Sequence, residues 1–251
     1  MKSVVLADLS ELQGRIEVDE SGTPIFLTGG RHQAVLAKNG VPVTAFQITG
    51  LRYRAEPISD YVERFDDFKH LVMLYDDKQL ARKVEFRYIQ RGLEKHEMCE
   101  YVIPADDPET PGSIKAQMEE FGIDVDHYVR EDCLRVIRIR DPAKNPEGFN
   151  AGCRAILDSL LLEAKLPVRM VLHIRYRLND ESELENHASF EKFIEENFDE
   201  FPGSMLCNHY VGNYRTNREN DAWTRHMLET HDTMFVASLD PRPSFFQTIL
   251  N

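Results

Sequence analysis

Six short apolar runs recur along most of the chain: His70–Tyr75, Met98–Ile103, Cys133–Arg140, Val168–Tyr176, Ser204–Cys207 and Thr233–Ala237. They are rich in β-branched residues and mostly lack alternation, as strands buried on both faces do. Between them the apolar spacing becomes helical. A first helix is predicted over about Lys78 to Glu94, with Leu80, Val84, Tyr88 and Ile89 on one face and Asp76 or Asp77 as cap. A second is predicted from Ser113 as N-cap to Gly122. A third covers about Glu147 to Lys165 before Pro167, with Ile156, Leu157, Leu160, Leu161 and Ala164 as its core stripe. A fourth, about Glu181 to Phe198, carries Leu184, Phe190, Phe193, Ile194 and Phe198 in an otherwise acidic background that reads as a solvated face. A fifth covers about Glu219 to Thr230 with Trp223, Met227 and Leu228. This repeated alternation predicts an α/β fold with a mainly parallel sheet and helices on both faces.

Residues 1–62 are punctuated differently. Gly22-Thr23-Pro24 and Gly40-Val41-Pro42 each precede a β-favouring run, and short β runs fall at Gly14–Val18, Ile25–Thr28, Gln33–Lys38 and Val43–Ile48. Glycine permits the positive φ of a turn, and proline suits a strand start or edge. The expectation is a small β-rich module of hairpins over residues 1–62, followed by an α/β domain over residues 63–251. The G-x-P pairs are also similar to the β segment of small antitoxin-type DNA-binding modules, and no helix-turn-helix pattern is present.

Charge narrows the partner classes. The 251 residues carry 30 Lys+Arg and 43 Asp+Glu, a net charge of −13, nearly all of it beyond the almost neutral first region. A phosphate backbone demands the opposite sign, so DNA is expected to touch the first module if it is touched at all. No apolar run reaches the roughly 18 residues that span a bilayer, and the first residues turn acidic too soon for a signal peptide, so a cytoplasmic protein without membrane contact is expected. The four cysteines include no C-x-x-C pair, which argues for free thiols rather than a zinc framework or disulfide scaffold. The apolar tail Pro241–Asn251 is expected to dock on the core or on a second subunit.

The familiar α/β chemistries are missing. The first strand leads into Asp76-Asp77-Lys78-Gln79-Leu80, without the glycines of a phosphate loop and with two carboxylates where an anion would sit. A dinucleotide G-x-G-x-x-G, a G-x-S-x-G elbow and an H-E-x-x-H motif are absent too.

Three stretches carry a resemblance: His70-Leu71-Val72-Met73-Leu74-Tyr75-Asp76-Asp77 with Phe86, Gly92-Leu93 and Glu97-Met98-Cys99-Glu100-Tyr101-Val102; Gly122-Ile123-Asp124-Val125-Asp126 with Cys133-Leu134-Arg135-Val136-Ile137; and Gly203-Ser204-Met205-Leu206-Cys207 with Met227-Leu228-Glu229-Thr230-His231. In this order and spacing they resemble the MEDS sensory domain over about Phe68 to Ser238. The resemblance implies a RecA/KaiC-like core without a working phosphate loop. It also implies sensing of small hydrocarbon derivatives, often beside a DNA-binding or kinase module. Two stretches depart from the family pattern, namely His173-Ile174-Arg175-Tyr176 and Cys207-Asn208-His209-Tyr210.

Ligands of parallel sheets bind beyond the carboxyl ends of the strands. That rule selects Tyr75, which closes the first strand, and Cys207, His209 and Tyr210 on the fifth; His70, which opens the first strand, and His231 at the end of the last helix come with the resemblance. Glu97, at the amino end of the second strand, enters only through the resemblance. Cys207 and His209 suit a nucleophile and base, two soft metal ligands, or a plain pocket lining; no third ligand is identifiable from spacing, so no metal and no cofactor is expected. Arg138 and Arg140, with His173, Arg175 and Arg177, would form a cationic cluster if the third and fourth strands were neighbours, and Arg175 joins the ligand-binding candidates on that basis. The reading is a non-enzymatic sensor that binds a small molecule and signals to a second subunit, a signalling partner or a transcription partner. The alternatives are a nucleotide or phosphometabolite binder without hydrolysis, a transcription regulator touching DNA through the first module, and an enzyme using Cys207 and His209.

Overall fold

In the computed structural model, residues 69–161, 164, 167–174, 180–198, 201–214 and 218–231 are described in full, apart from the side chain of residue 228, and five strands elsewhere by their backbone. The backbone strands are β1 (Ser3–Leu6), β2 (Ile16–Val18), β3 (Pro24–Phe26), β4 (Leu36–Lys38) and β10 (Thr233–Ala237). The others are β5 (His70–Tyr75), β6 (Met98–Pro104), β7 (Leu134–Ile139), β8 (Val168–His173) and β9 (Gly203–Tyr210). The helices are α1 (Lys78–Glu94), α2 (Pro111–Phe121), α3 (Val125–Arg130), α4 (Phe149–Leu161), α5 (Glu181–Asn197) and α6 (Arg218–Thr230).

Eight strands form one sheet in the order β4-β1-β10-β5-β9-β8-β6-β7. All neighbours are parallel except β1 and β4. The expected α/β architecture with a mainly parallel sheet is therefore the observed one. Within residues 1–62, β2 and β3 pair as a hairpin, while β1 and β4 lie along the main sheet. The β run Val43–Ile48, the tail Pro241–Asn251, Arg175 and Arg177 lie outside the described residues.

Alternate residues of the central strands feed two cores, as the two-residue side-chain period requires. Cys99, Tyr101, Ile103, Val171 and Leu206 pack with Val84, Phe86 and Ile89 of α1 on one face. Met98, Val102, Met170, Leu172, Met205 and Cys207 pack with Ile156 and Leu160 of α4 and Phe190 and Ile194 of α5 on the other.

Three sequence expectations are corrected. The cap of α2 is Thr110, not Ser113: Ser113 N–H donates to Thr110 Oγ1 at 3.1 Å, and Thr110 N–H donates to Ser113 Oγ at 2.9 Å, a reciprocal capping box. The third and fourth strands of the α/β region are not neighbours, because β6 lies between β7 and β8. Arg138 instead donates to the backbone carbonyls of Ala105, Asp107 and Glu109 at 3.0, 3.0 and 2.5 Å. The fifth strand runs on to Tyr210, so Cys207 lies in mid-strand rather than at its end.

Two local features bear directly on stability. Asp77 caps α1, its Oδ1 accepting from Leu80 N–H at 2.7 Å. The carboxylate thus takes the place at this helix N-terminus that phosphate takes in a phosphate loop. Gly92 is packed: a Cβ there would stand 2.6 Å from both Arg169 Cδ and Cys99 Sγ. Arg169 itself is buried, its guanidinium paired with Glu97 at 2.5 Å and lying 4.8 Å from the Tyr88 ring centroid.

Asp77→Ala is expected to cost about 0.5–2 kcal/mol, measured by urea unfolding. Gly92→Ala separates two effects of opposite sign. Helix propensity alone would stabilise by about 1 kcal/mol, whereas overpacking costs about 1–3 kcal/mol. A lowered melting temperature is expected, and a raised one would show that Arg169 and Cys99 give way freely.

Candidate functional site

The carboxyl ends of β6, β7 and β8 open onto a cavity of about 720 Å³. Pro104, Ile139 and His173 contribute from these strand ends, Phe149 from the start of α4, and His187 and Phe190 from α5. A buried polar network lies at the base of the cavity. His173 Nε2 is 2.7 Å from Tyr101 Oη, and Tyr101 Oη donates to Glu85 Oε2. Arg82 bridges Glu85 at 2.8 Å and Glu109 at 2.6 Å, and Lys78 meets Glu109 at 2.7 Å. Burial would raise the Glu85 pKa, but Arg82 and then His173 outweigh it and hold the group below the usual carboxylate range.

On the far side of His187 is a second cluster, centred on Glu191 of α5. Its carboxylate is fully buried and meets four imidazoles. His187 Nε2 and His209 Nε2 stand 3.3 and 3.4 Å from Oε1. His231 Nε2 and His70 Nε2 stand 3.4 and 3.8 Å from Oε2. Cys207 Sγ is 3.6 Å from His70 Nε2, and the His70 and His231 rings stack at 3.9 Å between centroids. Neither Glu191 oxygen has a hydrogen bond of ordinary geometry among the described residues.

The electrostatics of the cluster are dominated by burial. Burial alone would raise the Glu191 pKa, yet the surrounding imidazoles hold it well below the usual carboxylate range. Burial first, and His187 next, push His209 down to about 3. Burial first, and His70 next, push His231 down to about 4. Burial and then the Glu191 charge push the Cys207 thiol well above its ordinary value. At neutral pH this means an ionised carboxylate, a neutral thiol and two neutral imidazoles, those of His209 and His231, in a buried setting.

The eight residues singled out from sequence thus divide. His70, Cys207, His209 and His231 converge on Glu191. Tyr75 and Tyr210 meet at the carboxyl ends of β5 and β9, with ring centroids 5.6 Å apart. Glu97 stays at the amino end of β6, held in two hydrogen bonds by Arg169. Arg175 lies outside the described residues. The seven described candidates are absent from the lining of the carboxyl-end cavity. Glu191 and His187 were missed because α5 looks uniformly acidic. Its buried positions Leu184, His187, Glu191 and Ile194 nevertheless follow the three-and-four spacing of a core stripe, and that spacing is the signal that identifies both.

No curated protein matches the chain. Among solved structures the chain is similar to a KaiC-like protein from the hyperthermophilic archaeon Pyrococcus horikoshii OT3, with a TM-score of 0.41 and 13% identity over 67% of this chain and 72% of that one. Residues 69–232 match the model of the MEDS family, the methanogen/methylotroph, DcmR sensory domain, over well more than half of the sequence. That match spans the strands and helices that build both the cavity and the Glu191 cluster, and the chain belongs to the MEDS family.

Proposed function

We propose that the chain is a non-enzymatic sensor whose cavity at the carboxyl ends of β6, β7 and β8 takes a small hydrocarbon derivative or metabolite. The observation that carries this reading is the cavity itself. Ile139, Phe149, Ile174 and Phe190 supply apolar lining, and His173, Arg140, Lys144 and Glu183 are among the polar and charged groups beside them. Apolar walls with a few placed polar groups are the usual make-up of a small-molecule site. The volume of about 720 Å³ is ample for a small organic ligand. His173 reports to Tyr101 and Glu85, and His187 reports to Glu191, so occupancy would reach two buried polar networks at once.

Signalling then follows from differential binding. A ligand that favours one arrangement of these side chains shifts the population toward it and biases contacts with a second subunit or a partner. Arg138 is committed to three backbone carbonyls, whereas Arg140 and Lys144 line the cavity, so an anionic group on the ligand would meet cations there.

Thermal-shift titrations with small methylated and halogenated compounds test the reading against nucleotides. A compound at a hundred times its Kd stabilises by about 2.7 kcal/mol, enough to raise the midpoint by several degrees. Ala143→Trp should leave the unliganded midpoint nearly unchanged, because Ala143 is exposed at the cavity rim. The same variant should abolish the ligand-dependent shift by filling the opening. A shift with nucleotides alone, or one untouched by Ala143→Trp, would sink the proposal.

A further inference from the structure

We infer that His70, Glu191, Cys207 and His231 form a closed binding site for one divalent metal ion of borderline softness, zinc being the cation their donors suit best. The inference stands apart from the cavity reading, since the four groups are buried beside it and do not line it.

Geometry is the first support. The four donor atoms lie within 4.8 Å of one another. A tetrahedron with zinc–nitrogen or zinc–oxygen bonds of about 2.0–2.1 Å and a zinc–sulfur bond of about 2.3 Å has edges of about 3.3–3.6 Å. The measured separations are 3.4 Å for His231 Nε2 to Glu191 Oε2, 3.6 Å for Cys207 Sγ to His70 Nε2, and 3.8 Å for His70 Nε2 to Glu191 Oε2. These three of the six edges are within about 0.5 Å of tetrahedral values, and all six lie within 4.8 Å, so an ion would draw the donors inward.

The hydrogen bonds of the imidazoles are the second support. His70 Nδ1 lies 2.9 Å from the Thr230 carbonyl, and His231 Nδ1 lies 2.9 Å from the Met227 carbonyl. A carbonyl only accepts, so both Nδ1 atoms carry a proton, and Nε2 is the nitrogen of each ring turned toward the cluster, where it would bind the ion. Backbone carbonyls orient metal-bound histidines in this way. His187 is oriented oppositely. Trp223 Nε1–H donates to its Nδ1 at 2.9 Å, which leaves the proton on Nε2, facing Glu191 Oε1 at 3.3 Å. His187 therefore supports the carboxylate from outside rather than binding the ion, and this asymmetry selects the four-residue group over the group of His187, Glu191 and His209.

Charge is the third support. Glu191 is fully buried, and a carboxylate sealed in the core is costly to ionise unless a cation balances it. Binding of a divalent ion displaces the Cys207 thiol proton to solvent, and thiolate and carboxylate together cancel the two positive charges. The site draws on β5, α5, β9 and the end of α6, and with four protein donors it leaves no position for substrate, which marks it as structural rather than catalytic.

Full-length protein purified without chelator should contain about one equivalent of zinc by elemental analysis. Cobalt(II) loaded in its place should show the visible bands of tetrahedral coordination and a thiolate charge-transfer band. Cys207→Ser should abolish that band, whereas His187→Gln should keep it. If Cys207→Ser fails to fold, stripping the wild-type protein with a strong chelator gives the same information, because its melting midpoint should fall and recover on adding zinc. Substoichiometric metal together with no cobalt spectrum at excess cobalt would overturn the inference. So would a charge-transfer band that survives Cys207→Ser.

Discussion

A single ionised carboxylate, Glu191, sets the terms for one side of this fold. Placing it in the core of α5 forces every neighbouring element to answer its charge. β5 does so with His70, β9 with His209, α5 itself with His187, and the end of α6 with His231. These are the same elements whose apolar residues close the core, so packing and electrostatics cannot be separated here. Breaking the arrangement from the imidazole side would leave a buried charge with fewer partners, a loss that ordinarily exceeds that of a surface ion pair several-fold.

The opposite face follows a different logic. There the polar groups are arranged in a chain from His173 through Tyr101 and Glu85 to Arg82 and Glu109, ending at the exposed Lys78. Charges of both signs alternate along it, so each member is compensated by its neighbours. The cavity lies between this balanced chain and the Glu191 cluster, with one histidine of each in its wall. A sensor needs such a position, where a small molecule touches side chains already committed to longer-range contacts.

Much of the fold was legible in the sequence, because buried parallel strands and amphipathic helices leave long-range patterns. The apolar run His70–Tyr75 and the stripe of Ile156, Leu157 and Leu160 sit where the pattern placed them, and the run read as Val168–Tyr176 begins β8 at Val168, the strand ending at His173. What failed was local or three-dimensional. Ser113 looks like a cap because serine is a good one, but Thr110 three residues earlier takes that role and uses Ser113 as its partner. Strand order is invisible in the spacing, so the insertion of β6 between β7 and β8 could not be read; Arg138 turns to backbone carbonyls, while Arg140 and His173 still line one cavity. None of the seven described candidates lines the cavity, whereas His70, Cys207, His209 and His231 gather around Glu191. Histidines and a cysteine at strand ends drew notice by type, whereas Glu191 was hidden among the many glutamates of α5 and betrayed only by its position on the apolar stripe.

The separations along the chain have a consequence for how the protein comes into being. Cys207 and His70 are 137 residues apart, and His70 and the Thr230 carbonyl that orients it are 160 apart. β5 also finds its sheet neighbour β9 only after β6, β7 and β8 with their helices have been made, and β10 later still. During synthesis the early strand must wait, with an apolar edge open, until nearly the whole domain has left the ribosome. Contacts of such long sequence separation carry a large loop-closure cost and form slowly. The centre of the molecule is therefore its last part to be assembled, and a truncated chain ending before α6 would lack the group that closes it.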